Sequence, residues 1–225
     1  MRTSIIPAIL ATTARDFHQR FQIIASIAPM LHLDIMDGNF VPNRTWATPR
    51  RIAALPQSTR FEVHLMVREP AAAVATWGRI ASVERIIVHA EATEDLASLL
   101  ATVRATGKKV GLAVNPSTPL RRLLPFLPSS PPQSHTQRPP AYTVDDLLLM
   151  ANAPGFAGRP FQRPTLRRVA SIHRRYPKLP IGVDIGVDHI TIPLLRAAGA
   201  SRLIAGSAIF GQSDPVAAYH QLRHL

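Results

Sequence analysis

The residue types best suited to chemistry are concentrated in one short stretch, His32-Leu33-Asp34-Ile35-Met36-Asp37-Gly38. Residues two apart on a β-strand share a face, so a strand here places His32, Asp34 and Met36 on one side. The apolar residues between them then point to the opposite side. An imidazole and a carboxylate on one face are candidate metal ligands.

Two further apolar segments end in residues of the same kinds. His64 and Met66 repeat the arrangement in Val63–Met66, and Asp184 ends the segment Ile181–Asp184. Any one of these polar residues alone is as well explained by a structural hydrogen bond, but their joint placement at strand ends favours a site. Two imidazoles and two carboxylates suit Zn²⁺, Mn²⁺, Fe²⁺ or Co²⁺. Their spacing does not separate a metal-dependent epimerase from a metal-dependent hydrolase or aldolase.

Small residues follow the last three predicted strands, in the segment Gly155-Phe156-Ala157-Gly158, at Gly186, and in Gly206-Ser207. Backbone amides flanked by small side chains can approach phosphate oxygens closely, and the loops after strands seven and eight form a recurrent phosphate site in (β/α)₈ barrels. Each pattern alone is typical of an ordinary turn. Their order along the chain favours a phosphorylated substrate.

Short apolar segments alternate with amphipathic ones along the 225 residues, and the chain has no cysteine for a disulfide or a thiolate site. The predicted strands are Ser4–Ile9, Met30–Asp34, Arg60–Met66, Arg85–His89, Lys109–Val114, Asp146–Met150, Ile181–Asp184 and Arg202–Ala205. The predicted helices are Asp16–Ile27, Pro70–Ile80, Asp95–Thr106, Pro164–Tyr176, Ile190–Ala198 and Pro215–Leu222. This alternation predicts an α/β protein with a single (β/α)₈ TIM-barrel domain over residues 1–225.

The segment from about 125 to 141 interrupts the alternation, because it is rich in Pro, Ser and Gln. Proline fits neither a helix interior nor a central strand, so we predict an exposed insertion before the sixth strand. A tolerated surface expansion explains such a segment better than a lid or a partner-binding arm.

The formal net charge of +12 raises the question of a polyanionic partner. The arginines are scattered or paired on the outer faces of predicted helices, which favours a basic enzyme surface over nucleic-acid binding. No apolar run approaches the roughly 18 residues of a membrane span, and the N-terminus lacks the apolar stretch of a signal peptide. We therefore expect a cytoplasmic protein with no membrane partner. Apolar helix faces favour a homo-oligomer.

Together these motifs resemble those of the ribulose-phosphate 3-epimerases. Asp34-Ile35-Met36-Asp37-Gly38, followed by Phe40-Val41-Pro42-Asn43, is the most specific part of the resemblance. The other matching segments are Pro7-Ala8-Ile9-Leu10, Val63 to Met66, Val88-His89-Ala90-Glu91, Asn115-Pro116, Met150 to Gly158, Val183-Asp184 and Ala205 to Phe210. Only the Pro- and Ser-rich segment lies outside the resemblance.

The resemblance implies a metal-dependent epimerase that inverts C3 of a ketose phosphate, first of all D-ribulose 5-phosphate to D-xylulose 5-phosphate. His32, Asp34, His64 and Asp184 match the ligands of one divalent ion (Zn, Fe, Mn or Co), which would stabilise an enediolate. Asp34 and Asp184 also match the pair that moves the C3 proton. The residues expected to contact the substrate are Ala8, His64, Met36, Met66, Met150, Gly155, Phe156, Ala157, Gly158, Ile185, Gly186, Gly206 and Ser207.

The chain departs from the family near the expected substrate. Ala8 stands where Ser is common, Ile185 where Gly is common, and Arg159 where Gln is common. A branched residue disfavours the positive φ that glycine allows, whereas an arginine supplies a charged donor for phosphate. Two alternatives stay open: a 3-epimerase of another ketose phosphate such as allulose 6-phosphate, and a catalytically weakened barrel with a binding role.

Overall fold

The computed structural model describes residues 3–56, 58–128 and 140–225. Its centre is a closed barrel of eight parallel strands in sequential order, with β1 paired to β8. The strands are β1 (Ser4–Ile9), β2 (Leu31–Met36), β3 (Phe61–Met66), β4 (Val83–His89), β5 (Lys109–Val114), β6 (Asp146–Met150), β7 (Ile181–Asp184) and β8 (Arg202–Ala205). The predicted (β/α)₈ barrel is confirmed.

Helices follow the strands and cover the outside of the barrel. They are α1 (Ala14–Ile24), α2 (Pro49–Ala53), α3 (Pro70–Trp77), α4 (Leu96–Ala105), α5 (Pro164–Arg175), α6 (Thr191–Ala198), α7 (Ser207–Phe210) and α8 (Pro215–His224). After β5 the chain forms two short 3₁₀ turns, Leu120–Arg122 and Leu124–Phe126, in place of a full α-helix.

Side chains along each strand point alternately outward and inward, and so form two separate apolar cores. Outward residues such as Leu33, Val63 and Leu149 pack against the helices in one large apolar cluster. Inward residues such as Ile87 and Leu148 fill the barrel itself in a smaller cluster. Both faces of a strand are therefore buried, which is why the strands read as continuous apolar runs in the sequence.

Several helices begin where the sequence provides a cap. Thr13, Asp95 and Asp214 accept hydrogen bonds from backbone N–H groups in the first turns of α1, α4 and α8, at 3.2, 3.0 and 2.9 Å. Proline begins α3 and α5, where its missing N–H costs nothing. These caps fix where each helix begins, and so where the loops at the carboxyl end of the barrel end.

The structure differs from the predicted elements mainly at their ends. β2 runs on to Met36, and the short helices α2 and α7 were not predicted. Part of the predicted insertion is described: Leu124–Phe126 is a 3₁₀ turn and Leu127 is buried, so the chain is still packed there. Residues 129–139 of that segment lie outside the described residues.

Among the described residues, no helix combines the length and apolar character needed to cross a membrane. Ile190 and Leu194, beside and within α6, are exposed apolar residues. The expected homo-oligomer stays a prediction.

Candidate active site and metal centre

The two imidazoles and two carboxylates predicted from the sequence lie together at the carboxyl end of the barrel. His32 and Asp34 come from β2, His64 from β3 and Asp184 from the end of β7. Asp34 lies opposite His64 in the register of β2 and β3, so strand pairing alone makes these two neighbours. All four residues are buried, and one ligand atom of each lies within 4.8 Å of the other three.

Asp34 lies at the centre of this cluster. Its Oδ1 is 3.3 Å from His32 Nε2 and 3.1 Å from His64 Nδ1. Asp184 Oδ2 lies 3.8 Å from the same nitrogen of His64. One nitrogen of each imidazole and both carboxylates therefore face a common point.

The second nitrogen of each imidazole has a partner of its own. His32 Nδ1 lies 2.7 Å from Glu62 Oε1, and His64 Nε2 lies 2.8 Å from His89 Nε2. When His32 Nε2 and His64 Nδ1 are left free to bind a metal, the ring hydrogens are on the opposite sides and are donated to Glu62 and His89. Outer hydrogen bonds of this kind orient metal-binding imidazoles.

A chain of hydrogen bonds continues behind His64. His89 accepts on Nε2, so its own hydrogen is on Nδ1, which lies 3.2 Å from Glu91 Oε2. Burial lowers the pKa of His89 to about 4, so this ring is neutral at pH 7. Burial works against ionisation of Glu91, but hydrogen bonds from His89, the Thr118 hydroxyl and the Asn115 N–H lower its pKa to about 2. Glu91 is therefore a fixed carboxylate that orients His89.

The two imidazoles of the cluster differ in charge. Burial disfavours a cation at His32, but hydrogen bonds with Asp34 and Glu62 outweigh it and raise the pKa to about 10. At His64 burial prevails over the hydrogen bond to Asp34, and the pKa is lowered. In the metal-free site His32 is the cationic ring and His64 the neutral one.

The two carboxyl groups have pKa values that move apart. Burial raises the pKa of Asp34, but hydrogen bonds from His32 and His64 outweigh it and hold the pKa well below its ordinary range. At Asp184 burial and the nearby charge of Asp34 raise the pKa to about 7. At neutral pH one carboxyl is ionised and the other is partly protonated. Such divergence is typical of sites that transfer protons.

The donor set fits a divalent transition metal. Two imidazole nitrogens and two carboxylate oxygens are ligands that Zn²⁺, Fe²⁺, Mn²⁺ and Co²⁺ accept in proteins. The four residues are buried and converge within 4.8 Å. Both imidazoles are also oriented from behind, by Glu62 and His89. The cluster is a candidate metal centre.

A cleft opens above the cluster, and Asp34 and Asp184 lie in its wall. With one exception, every residue predicted to contact the substrate lines this cleft. They are Ala8, Met36, Met66, Met150, Gly155, Phe156, Ala157, Gly158, Ile185, Gly186, Gly206 and Ser207. The exception is His64, which is fully buried within the metal cluster.

Asp37 shapes the loop that follows β2. Its carboxylate accepts hydrogen bonds from the backbone N–H groups of Phe40 and Arg68, at 3.0 and 2.8 Å. Asn43 Nδ2 donates to the carbonyl of Gly155 at 2.9 Å and so ties this loop to the one after β6. The most specific motif of the sequence therefore serves partly to hold one wall of the cleft in place.

The turn after β7 is strained. Ile185 has a φ of 76° and is the one non-glycine residue with positive φ among those described. Gly186 has a φ of 69°, and a Cβ there would lie 2.6 Å from Phe161 N, so glycine is required at that position. A branched residue disfavours positive φ, as expected from the sequence, and the backbone at Ile185 nevertheless keeps this conformation at a cost of order 1–3 kcal/mol.

The structure also brings forward residues that the sequence did not indicate. Arg20 on α1 is the one basic side chain that lines the cleft within the part of the chain described. Its Nε donates to Asp16 at 2.6 Å, and its guanidinium lies over the Phe210 ring. Arg159, expected near the phosphate, lies over the Phe156 ring and is not in the cleft wall. No spacing signal distinguished Arg20 from the other surface arginines.

A family model described as the ribulose-phosphate 3 epimerase family matches residues 2–210. The chain belongs to this family. The match confirms the resemblance seen in the sequence, and it makes the chain an enzyme of the isomerase class. It also agrees with the site, since a metal-dependent epimerase requires both a metal centre and proton-transfer groups.

Three relatives show how far the similarity extends. A cytoplasmic isoform of ribulose-phosphate 3-epimerase from Oryza sativa subsp. japonica is 34% identical, covering 84% of this chain and 78% of that protein. The ribulose-phosphate 3-epimerase of Bacillus subtilis (strain 168) is 34% identical, covering 87% and 86%. That of Candida glabrata is 32% identical, covering 94% and 87%.

Among solved structures, a crystal structure of 3-hexulose-6-phosphate synthase aligns with a TM-score of 0.65 and 18% identity. The alignment covers 100% of this chain and 99% of that one. At this identity the similarity shows the barrel fold alone.

Proposed function

We propose that this chain inverts the configuration at C3 of D-ribulose 5-phosphate to give D-xylulose 5-phosphate. The observation that carries the proposal is the pair of carboxyl groups, Asp34 and Asp184, in the wall of one cleft beside the same His64 nitrogen. The family relatives named ribulose-phosphate 3-epimerase support the choice of substrate.

The two carboxyl groups exchange protons with C3. A hydrogen α to a ketone is weakly acidic, so its removal requires a base held against it and stabilisation of the resulting enediolate. One carboxylate removes the C3 proton, and the other carboxyl group returns a proton to the opposite face. Because β2 and β7 are not adjacent in the barrel, Asp34 and Asp184 approach from different sides of the site. Their roles reverse in the reverse reaction.

His32, His64, Asp34 and Asp184 would hold the divalent ion in this proposal. When bound, Zn²⁺, Fe²⁺, Mn²⁺ or Co²⁺ supplies positive charge that stabilises the oxygens of the enediolate. Glu62 and His89 keep the two imidazoles turned so that His32 Nε2 and His64 Nδ1 face the ion.

Three methionines surround the reacting carbon in this proposal. Met36, Met66 and Met150 line the cleft and are almost fully buried. Their flexible apolar side chains exclude water while fitting the sugar carbons. Exclusion of water matters because an exposed enediolate would be protonated from solvent on either face.

The phosphate group occupies the far wall of the cleft, near Gly186, Gly206 and Ser207. Arg20 is the charged partner that we assign to it, since it lines the same cleft, where its guanidinium carbon lies over the Phe210 ring, 5.3 Å from the ring centroid. A guanidinium forms short, charge-assisted hydrogen bonds to phosphate oxygens.

Arg20→Met tests this assignment, because methionine keeps an apolar stem over Phe210 and removes the charge. We expect the KM for ribulose 5-phosphate to rise about tenfold or more, as loss of one charged hydrogen bond predicts, with little change in kcat. Arg15→Met, an exposed position on the same helix, serves as the matched control and keeps the native KM. An unchanged KM in Arg20→Met would assign phosphate binding to the backbone alone.

The function itself is tested with the metal-loaded protein and a coupled assay that detects xylulose 5-phosphate. Protein loaded separately with Zn²⁺, Fe²⁺, Mn²⁺ or Co²⁺ is given ribulose 5-phosphate, and allulose 6-phosphate in parallel. We expect turnover of the pentose phosphate with at least one metal, and a higher kcat/KM than for the hexose phosphate. A higher kcat/KM for the hexose phosphate would make allulose 6-phosphate the assigned substrate. Metal binding without inversion of either sugar would refute the proposed epimerase activity.

A further inference from the structure

Four charged residues form a closed ring inside the barrel, directly behind the metal centre. They are Glu62 on β3, Arg85 on β4, Asp146 on β6 and Arg202 on β8, each at an inward position near the amino end of its strand. Glu62 and Asp146 are fully buried, and the Arg202 and Arg85 side chains are 8% and 11% exposed. The proposed mechanism already uses Glu62 to orient His32, but it gives the other three charges no task.

Each acid in the ring contacts both bases. Glu62 Oε2 accepts from Arg85 Nη1 at 2.8 Å and from Arg202 Nη2. Asp146 Oδ1 accepts from Arg202 Nη1 at 2.7 Å, and its Oδ2 forms an ion pair with Arg85 Nε. With two positive and two negative charges the ring is neutral, and both oxygens of Glu62 are engaged.

The remaining oxygen of Glu62 contacts the metal centre. Glu62 Oε1 lies 2.7 Å from His32 Nδ1, at the strand register position directly opposite His32. Gly182 on β7 makes room for Leu148 and for the ring, because a Cβ there would lie 2.9 Å from Leu148 Cδ1 and 3.3 Å from Arg202 Nη1. The space for the Arg202 guanidinium is thus built into a neighbouring strand.

We propose that this ring positions His32, by fixing Glu62 so that it accepts from Nδ1 and leaves Nε2 directed at the metal. Packing alone does not call for the ring, since apolar residues of similar volume usually stabilise a core as well as a buried ion network does. Arg85, Arg202 and Asp146 act only through Glu62. The inference rests on the metal site of the proposed function and adds three positioning residues to it behind Glu62.

The test measures metal affinity in the absence of substrate. Glu62→Gln keeps the shape of the side chain but removes the charge that the ring orients. The double variant Arg202→Met/Asp146→Leu removes one positive and one negative charge and leaves the Glu62–Arg85 pair in place. In both we expect the Kd for Co²⁺, from competition with a chromophoric chelator, to rise about tenfold to a hundredfold. We also expect the visible absorption of bound Co²⁺ to shift, because it reports the arrangement of the ligands.

Arg104→Met is the matched control, since Arg104 makes two bonds to the Asp145 carboxylate outside the barrel interior. It removes an ion pair whose side chains are 36% and 33% exposed, and leaves the Co²⁺ affinity and spectrum unchanged. Arg202→Lys retains one charged contact and recovers part of the lost affinity. The proposal is overturned if ring variants lower the Tm but keep the native Kd and Co²⁺ spectrum. If Arg202→Met/Asp146→Leu fails to fold, Arg202→Lys decides, because it alters the ring without changing Glu62.

These outcomes separate the ring from the reaction. A native chain that binds Co²⁺ but inverts no ketose phosphate refutes the proposed function, while the affinities of the variants still decide the role of the ring. A native chain that turns over normally, with ring variants of native Co²⁺ affinity, refutes the ring alone.

Discussion

Replacing Asp184 by asparagine is expected to abolish inversion, lowering kcat/KM for ribulose 5-phosphate by at least about 10³-fold. Asparagine keeps the shape of the side chain and can still accept the hydrogen bond from Ile185 N. It cannot take up or release a proton at C3. Asp34→Asn has an effect of the same order, because both carboxyl groups act in each turnover.

Exchange of hydrogen with heavy water separates the two roles. If each carboxyl group serves one face of C3, Asp184→Asn exchanges the C3 hydrogen of one epimer with solvent and does not invert it. Asp34→Asn then exchanges the other epimer. The measurement is loss of the C3 proton signal by NMR, made at saturating metal and after the metal content of each variant has been checked.

Asp95→Asn is the matched control, since Asp95 caps α4 outside the cleft and asparagine caps a helix equally well. It is expected to keep native rates of inversion and exchange. Exchange of the same epimer by both site variants would mean that both groups act on one face of C3, and would contradict the assignment of one group to each face.

The four residues of the candidate metal centre could be placed from the sequence because their positions follow from strand periodicity. His32, Asp34 and His64 alternate with apolar residues, and alternation with a period of two assigns a face without any knowledge of the fold. The approach of Asp184 depends on closure of the barrel, because β7 is not a neighbour of β2 or β3. The recurrence of eight strand–helix units supplied that closure.

The ring behind the centre could not be predicted in the same way. Arg85, Asp146 and Arg202 each begin a predicted strand, where a charged residue reads as a solvent-exposed boundary. Only closure of the barrel brings the side chains at these three strand ends into one interior, where they can form ion pairs. Such groups are buried only because they have partners of opposite charge, and these partners can be far away in the sequence. Glu62 and Arg202, which are in contact, are 140 residues apart.

Local propensity also fails at Ile185. A β-branched residue disfavours positive φ, yet the neighbouring constraints fix the turn: Gly186 is held against Phe161, and Asp184 accepts from the Ile185 N–H.

The short helices α2 and α7 were missed because five and four residues are too few to show a helical period. Arg20 was missed because the sequence of an amphipathic helix does not show whether a residue on its polar face points to solvent or lines a cleft.

Removal of the metal is expected to abolish turnover, by about 10³-fold or more, with recovery when the ion is restored. The apo site is not ready for an ion at neutral pH, because His32 is protonated there, with a pKa of about 10. A metal can bind Nε2 only after that proton leaves. Asp184, with a pKa of about 7, releases a second proton below neutral pH. Binding is therefore coupled to proton release, and affinity falls as the pH is lowered.

The slope of this dependence follows from the two pKa values. Between about pH 8 and 9 metal binding displaces only the His32 proton, so the apparent Kd rises tenfold for each unit by which the pH is lowered. Below about pH 7 binding also displaces the Asp184 proton, and the rise in Kd approaches a hundredfold per pH unit. Calorimetry in buffers of different ionisation enthalpy counts the protons directly. His220→Gln removes an exposed imidazole outside the site and keeps the native count. Metal binding without proton release at pH 8 would mean that His32 is neutral in the free protein, and that Asp34 and Glu62 do not hold a cation between them.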